Sequence, residues 1–252
     1  MLRLVFRNFR ATLDRGGLFW QFIFPIFFIY IQGFALSPLI PNFAFGAEKV
    51  SYLVYAAAGI SVFSVINSGF WNAGTLPWRD RRQGMFEQIL LAPYSRSHYI
   101  ASVILTTVII VLASAGFVFL FGLPILLSTN VSITPLGTVL MAGALVLGSI
   151  FFGSLGIMIS LRARSEESFF ALTQVLFFLI MFPSSMFYPA ELVPGILRYV
   201  FYANPATYTA DMFRSGVLGA ASNFLPYEII ALAILSMIAF FLAIRAFRKI
   251  KL

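Results

Sequence analysis

Few side chains in this 252-residue sequence are of types that perform chemistry, and their spacing narrows what that chemistry could be. The one histidine, His98, stands beside Arg96. With no Cys and no second His in the chain, it lacks the companions that a zinc site or acid–base catalysis needs. Glu166 and Glu167 are the only adjacent carboxylates, and a solvated turn paired to nearby arginines accounts for them. A phosphate-binding loop requires a glycine-rich turn ending in Gly-Lys-Ser/Thr. The only lysines are Lys49, Lys249 and Lys251, none in that setting. No catalytic residue, metal-ligand set, cofactor site or nucleotide site is therefore expected in this chain. Asp211 and Arg214 stand apart as an i,i+3 ion pair on a helix that Asn204, as N-cap, and Pro205, at the first helical position, would start.

The elements that position these residues must sit in lipid. Apolar residues make up 60% of the chain and aromatic residues 17%, with 30 Phe, and mean hydropathy is +0.93. Charged residues are only 10%, against about a quarter in soluble domains. The same composition excludes intrinsic disorder, collagen-like repeats, a disulfide scaffold and a thiol-based metal or redox site. A crossing helix needs roughly 20 mostly apolar residues. The charge-free stretches give six: about 18–40, 51–77, 98–127, 135–161, 168–188 and 225–244, the last with Glu228 at its mouth. Helix-poor residues 128–134 and Pro135 separate the third from the fourth. Residues 191–224, broken by Pro194, Gly195, Asn204 and Pro205, cannot cross and read as short helices dipping part-way into the bilayer. The expected fold is an all-α membrane protein, one transmembrane domain over residues 1–252.

Orientation follows from the cations. Arg3, Arg7, Arg10 and Arg15, then Arg79, Arg81, Arg82 and Arg96, then Arg162 and Arg164, and finally Arg245, Arg248, Lys249 and Lys251 share one side. Lys49, Arg198 and Arg214 fall on the other. By the positive-inside rule both termini are cytoplasmic in a multi-pass protein of the cell membrane. The net charge of +8 then reflects membrane flanks facing anionic lipid, not nucleic acid. Residues 3–15, with Leu4, Val5, Phe6, Phe9 and Leu13 among the arginines, can lie on the cytoplasmic surface as an amphipathic helix, or serve only to set topology. Ala35-Leu36-Ser37 follows too long an apolar run for signal-peptide cleavage.

Ion-coupled carriers place charge near the bilayer midplane, and the spans hold none there. Energy is thus expected from a source other than an ion gradient, and any ATP hydrolysis must be done by a partner. A docking surface for one exists between spans two and three, where residues 79–96 read as a short amphipathic helix stopped before Pro93. Met85, Phe86, Ile89 and Leu90 share one face, with Gly84, Glu87 and Gln88 on the other. An interfacial linker that only spaces two spans fits the same pattern.

Three segments carry a resemblance. Arg82-Gln83-Gly84-Met85-Phe86-Glu87-Gln88-Ile89-Leu90-Leu91-Ala92-Pro93-Tyr94-Ser95-Arg96 resembles the cytoplasmic loop of the permease subunits of type 2 ABC exporters. Pro183-Ser184-Ser185-Met186-Phe187-Tyr188-Pro189-Ala190-Glu191-Leu192-Val193-Pro194 and Asn204-Pro205-Ala206-Thr207-Tyr208-Thr209-Ala210-Asp211-Met212-Phe213-Arg214 are similar to two later motifs of that family. Met85 and Ala92 stand where Thr is common in the family, and Ser185 where Gly is common. The resemblance implies a six-span permease paired with an identical or related second permease and an ABC ATPase dimer that carries ATP and magnesium. It implies that Arg82, Gly84, Glu87, Leu90, Pro93 and Arg96 belong to the segment coupled to the ATPase. It also implies that Pro189, Pro194, Asn204, Pro205, Tyr208, Asp211 and Arg214 shape re-entrant helices capping the path from outside. The cargo expected is a hydrophobic or amphipathic compound, drug- or lipid-like, with Phe177, Phe178 and Phe182 as possible liners of its path. Export of a lipid-linked glycan, or a free-standing channel without an ATPase, are the alternatives.

Overall fold

The computed structural model describes residues 1–12, 19–40, 42–46, 48–91, 95–127 and 133–249. Helix α1 (Leu2–Thr12) is followed by a π-helical turn, Phe19–Ile23, that runs into α2 (Phe24–Leu36). An antiparallel hairpin of β1 (Phe43–Phe45) and β2 (Glu48–Val50), with Phe43 opposite Val50, leads to a kinked rod from Tyr52 to Arg82. That rod comprises α3 (Tyr52–Ile60), α4 (Phe63–Asn67), a second π-helical turn (Ser68–Asn72) and α5 (Ala73–Arg82). Short α6 (Met85–Leu91) precedes α7 (Arg96–Leu127), α8 (Pro135–Arg162) and α9 (Glu166–Met181). After a 3-10 turn at Ala190–Leu192 come α10 (Leu197–Ala203), α11 (Pro205–Leu218) and α12 (Leu225–Arg248).

Local chemistry explains the boundaries. Thr134 is extended and its hydroxyl accepts from the Gly137 amide at 3.0 Å, capping α8 with Pro135 just inside. Ser165 and Ser168 exchange side-chain and backbone bonds at the start of α9. Gly219, at φ +68, closes α11 in the left-handed conformation that suits glycine.

Among the described residues four helices are long and apolar enough to cross a bilayer: Tyr52–Arg82, Arg96–Pro124, Pro135–Arg162 and Leu225–Arg248. Two of the six expected spans are shorter. The one expected over 18–40 ends as a helix at Leu36: Ser37 keeps helical geometry, but Pro38 has no amide hydrogen to continue the ladder and the chain turns there. The one expected over 168–188 ends at Met181, just ahead of Pro183, which has no amide hydrogen to continue the ladder. Its 16 residues rise roughly 24 Å, less than a hydrocarbon core of about 30 Å. The β-hairpin was not foreseen at all. Among the described residues the chain is an all-α membrane protein with this one small sheet.

Helix α8 is the centre of the packing. Gly148, Ser149, Gly153, Ser154, Gly156 and Ser160 are all buried on it, so backbones can approach closely where lipid gives no hydrophobic driving force. A Cβ placed on Gly156 would run into the Gly69 carbonyl and come within 3.2 Å of Phe70 Cα. Gly137 and Gly216 meet in the same way where α8 crosses α11. Gly156→Val is expected to cost about 1–3 kcal/mol by forcing α8 off the rod. Thermal unfolding of purified protein checks this against Gly116→Ala, a position with open space around it; equal midpoints for the two would contradict the close crossing.

Candidate functional site

The sequence puts aromatic residues on α2, on the rod and on α9, and the fold brings the three together. Phe24 and Phe28 of α2, Phe63, Asn67, Trp71 and Asn72 of the rod, and Gln174, Phe177, Phe178, Met181 and Phe182 on and just past α9 line a cleft of about 550 Å³. That volume is within the range of sites for drug-sized molecules. Phe177 lies at its base, 5.8 Å from Phe63 in an edge-to-face pair. Phe178 and Phe182 stack at 5.4 Å and are exposed, so they form the mouth. None of the described lining residues is charged. The three residues expected along a cargo path are thus brought to one cavity, but most of its wall comes from α2 and the rod.

The π-helical turn at Ser68–Asn72 shapes the polar part of this wall. An extra residue in the turn shifts the helical face, and such turns recur at functional sites. Behind the wall, Gln21 donates to the hydroxyls of Ser68 (2.6 Å) and Ser114 (2.8 Å), and Asn72 donates to Ser68 at 3.3 Å. These amides and hydroxyls satisfy one another inside an apolar bundle, so they tie the π-helical turn ahead of α2, the rod and α7 together. Sequence reasoning missed Asn67, Asn72 and Gln174. Their signal was a polar amide inside a charge-free span.

A second constellation surrounds α11. Arg214 is fully buried and forms an ion pair with Asp211. Its Nε donates to the Tyr55 carbonyl at 3.3 Å and its Nη2 to the Ser185 carbonyl at 3.0 Å, while its guanidinium lies 3.4 Å from the centre of the Tyr55 ring. Asp211 accepts from Ser185 Oγ at 2.8 Å, and Tyr55 donates its hydroxyl to the Ser185 carbonyl at 2.9 Å. Ser185 therefore contributes hydroxyl and carbonyl together, and its amide donates to Thr207 Oγ1 at 3.0 Å. Asn204 has two roles: its Oδ1 caps α11 at the Ala206 amide, and its Nδ2 donates to the carbonyls of Ile180 and Pro183, both at 2.7 Å. Pro205 fills the first position of α11. Tyr208 is buried against Tyr227, ring centres 6.0 Å apart. Pro189 is buried ahead of the 3-10 turn, whereas Pro194 is exposed. Tyr55, supplied by the rod, is the partner that sequence reasoning did not find.

The third constellation is at the other end of the bundle. Arg7 makes a bidentate contact to Asp80 (2.6 and 3.1 Å), and Tyr99 donates its hydroxyl to the same carboxylate at 2.8 Å. Asn8 donates to Ser102 at 3.1 Å, and Arg79 donates to the Ala11 carbonyl at 2.9 Å. So α1 packs inward through Leu4, Val5 and Asn8, leaving Phe6 exposed; Leu13 lies outside the described residues. Helix α6 likewise turns Phe86 and Ile89 inward, onto Tyr99 and Phe247. Its outer side presents Gln83, Gly84 at φ +67, Gln88 and Leu91. Arg82 pairs with Glu166, and Arg96 donates to the Phe247 and Arg248 carbonyls that end α12. The side chains of Glu87 and Leu90, and the whole of Pro93, lie outside the described residues.

Two comparisons place this arrangement. The family model for the ABC-2 type transporter matches residues 1–218, which contain the cleft and both polar constellations apart from what α12 contributes to them. A Bacillus subtilis (strain 168) protein named "Putative transport permease YvfS" is 25% identical over 191 residues, spanning 76% of this chain and 74% of its own. An all-α membrane chain matched over so much of its length belongs to the ABC-2 type transporter family, as a membrane-embedded transport permease.

Proposed function

We propose that this chain is the permease half of an ATP-driven exporter that takes a hydrophobic or amphipathic compound, drug- or lipid-like, from the cytoplasmic side of the cell membrane outward. The observation that carries the reading is the uncharged aromatic cleft of about 550 Å³, open between exposed Phe178 and Phe182. A cargo partitioned in lipid reaches such a mouth without leaving an apolar environment, and Asn67, Asn72 and Gln174 give hydrogen bonds that orient it.

The driving step belongs to a separate ABC ATPase dimer carrying ATP and magnesium, working with this permease and a second copy or paralogue of it. Outward-facing Arg82, Gln83, Gly84 and Gln88, with Glu87, meet the ATPase, while inward-facing Phe86 and Ile89 pass its displacement to α7 and α12 through Tyr99 and Phe247. Because the apolar face of α6 is packed against its own bundle, a push on α6 moves those helices as a body. In this reading α2 and α9 complete six crossings with the surrounding lipid, and both termini are cytoplasmic. The segment from Pro189 to Arg214 is the outer cap, held as one block by Asn204, Asp211 and Arg214.

Three measurements test this. The chain contains no Cys, so single cysteines report sidedness cleanly: an impermeant maleimide added to intact cells is expected to label Asn223→Cys and not Gln83→Cys, and the reverse pattern would invert the topology. Glu87→Ala, or deletion of residues 84–91, is expected to reduce co-purification with the partner ABC ATPase and to abolish cargo-stimulated ATP turnover. Unchanged assembly and turnover would remove the coupling role, and cargo movement by the permease reconstituted alone would favour a channel. Phe178→Ala with Phe182→Ala is expected to lower transport of an apolar fluorescent cargo about tenfold, in line with the loss of two aromatic contacts, while basal ATP turnover stays as in the parent.

A further inference from the structure

A second cleft, of about 430 Å³, opens between α10, α11 and the start of α12, and its chemistry differs from that of the phenylalanine cleft. Tyr199, Tyr202, Tyr208, Phe224 and Tyr227 wall it, and Glu228 is the one charged side chain among the described residues lining it. The rings stand in two crossed pairs: Tyr202 and Phe224 at 5.5 Å and 60°, Tyr208 and Tyr227 at 6.0 Å and 85°. Crossed rings direct π faces into the space from more than one side. A cation within about 6 Å of such a face is attracted by the ring quadrupole.

The Glu228 carboxyl group is held in place beside these rings. Glu228 is 4% exposed, and Ser222 donates its hydroxyl to Glu228 Oε2 at 2.6 Å. Ser222 is itself fixed by its amide, which donates to Ser215 Oγ at 3.2 Å. The neighbouring cations are directed elsewhere. Arg214 is spent on Asp211 and on backbone carbonyls, and Arg198 on the carbonyls of Glu191 and Val193. An ionised carboxylate is costly in such surroundings unless it is paired, and a bound cation would supply the pair. A metal ion needs several oxygen ligands, more than one carboxylate supplies. A primary ammonium would give up strong hydration to enter a ring-lined cleft. An N-methylated ammonium has little hydration to lose.

We propose that this cleft binds a quaternary or tertiary ammonium group, with the tyrosine faces enclosing the methyl groups and Glu228 neutralising the charge. The site stands whether or not the chain works as an ATP-driven exporter. The same chemistry is offered by a free organic cation and by a choline lipid headgroup, and the test separates them. Choline is titrated by calorimetry into the purified full chain in maltoside micelles, beside its neutral isostere 3,3-dimethylbutanol. Saturable choline binding without binding of the isostere is expected. Tyr227→Ala and Glu228→Gln should each raise the Kd about tenfold, whereas Tyr227→Phe, which keeps the π face, should stay within about twofold. Tyr227 is exposed, so its replacement leaves the core intact. If added phosphatidylcholine competes, the site takes the lipid headgroup; if choline binding survives the lipid, it takes a free cation. Choline binding that is absent, matched by the neutral isostere, or unaffected by both Tyr227→Ala and Glu228→Gln would overturn the proposal.

Discussion

A guanidinium with no solvent contact, that of Arg214, sets the terms for one half of this molecule. Burying a charge costs several kcal/mol unless it is paired and its donors are filled. Here the filling comes from three separate stretches: Asp211 on its own helix, the carbonyl and ring of Tyr55 on the rod, and the carbonyl of Ser185 beyond α9. None of these can shift alone without stranding a donor. The consequence is a rigid assembly of α11, the rod and the turn after α9, and Asn204 reinforces it by capping α11 and closing the end of α9 with one amide. Even the glycine at position 59 belongs to this constraint, since a Cβ there would collide with Arg214 Nη2 and the Met186 carbonyl.

The opposite end of the bundle is built on the same logic with the signs reversed. There the buried charge is the carboxylate of Asp80, satisfied by Arg7 and Tyr99, again from different elements. Apart from the group of Gln21, Ser68, Asn72 and Ser114, the contacts between these two polar knots are largely apolar or small-residue, with α8 as the common surface. Stacked Trp78 and Phe169, 5.8 Å apart and nearly parallel, continue the packing toward the Asp80 end, with Arg81 lying over Trp78. A body pinned by polar knots at both ends suits helices that rock as units more than helices that bend.

Much of this was legible from residue order, and the failures are instructive. Long charge-free runs located the rod, α7, α8 and α12, because a helix that must satisfy its own backbone in lipid leaves a strong length signal. Asn204 followed by Pro205 announced the start of α11 by local chemistry alone. The ends of α2 and α9 were misjudged because hydropathy continues through Pro38 and Pro183 although the backbone cannot. The hairpin Phe43–Val50 carries no alternation long enough to read. The face of α6 was correctly seen as apolar, but periodicity does not say what covers a face, and Tyr99 and Phe247 do so from within the chain. Tyr55 could not be linked to Arg214 because 159 residues separate them and only the fold joins them.

The clamp on α1 has a consequence in time. Arg7 precedes Asp80 by 73 residues, and Asn8 precedes Ser102 by 94. At ribosomal rates of about 5–20 residues per second, roughly 4–15 s elapse between synthesis of Arg7 and of its counter-ion. During that interval α1 exists without the contacts that define its final position. Its mixture of arginines with Leu2, Val5, Phe6 and Phe9 suits a transient resting place on anionic lipid. The sequence of α1 is thus compatible with two environments, a lipid surface through its arginines and exposed Phe6, and the Asp80 carboxylate once the rod is in place.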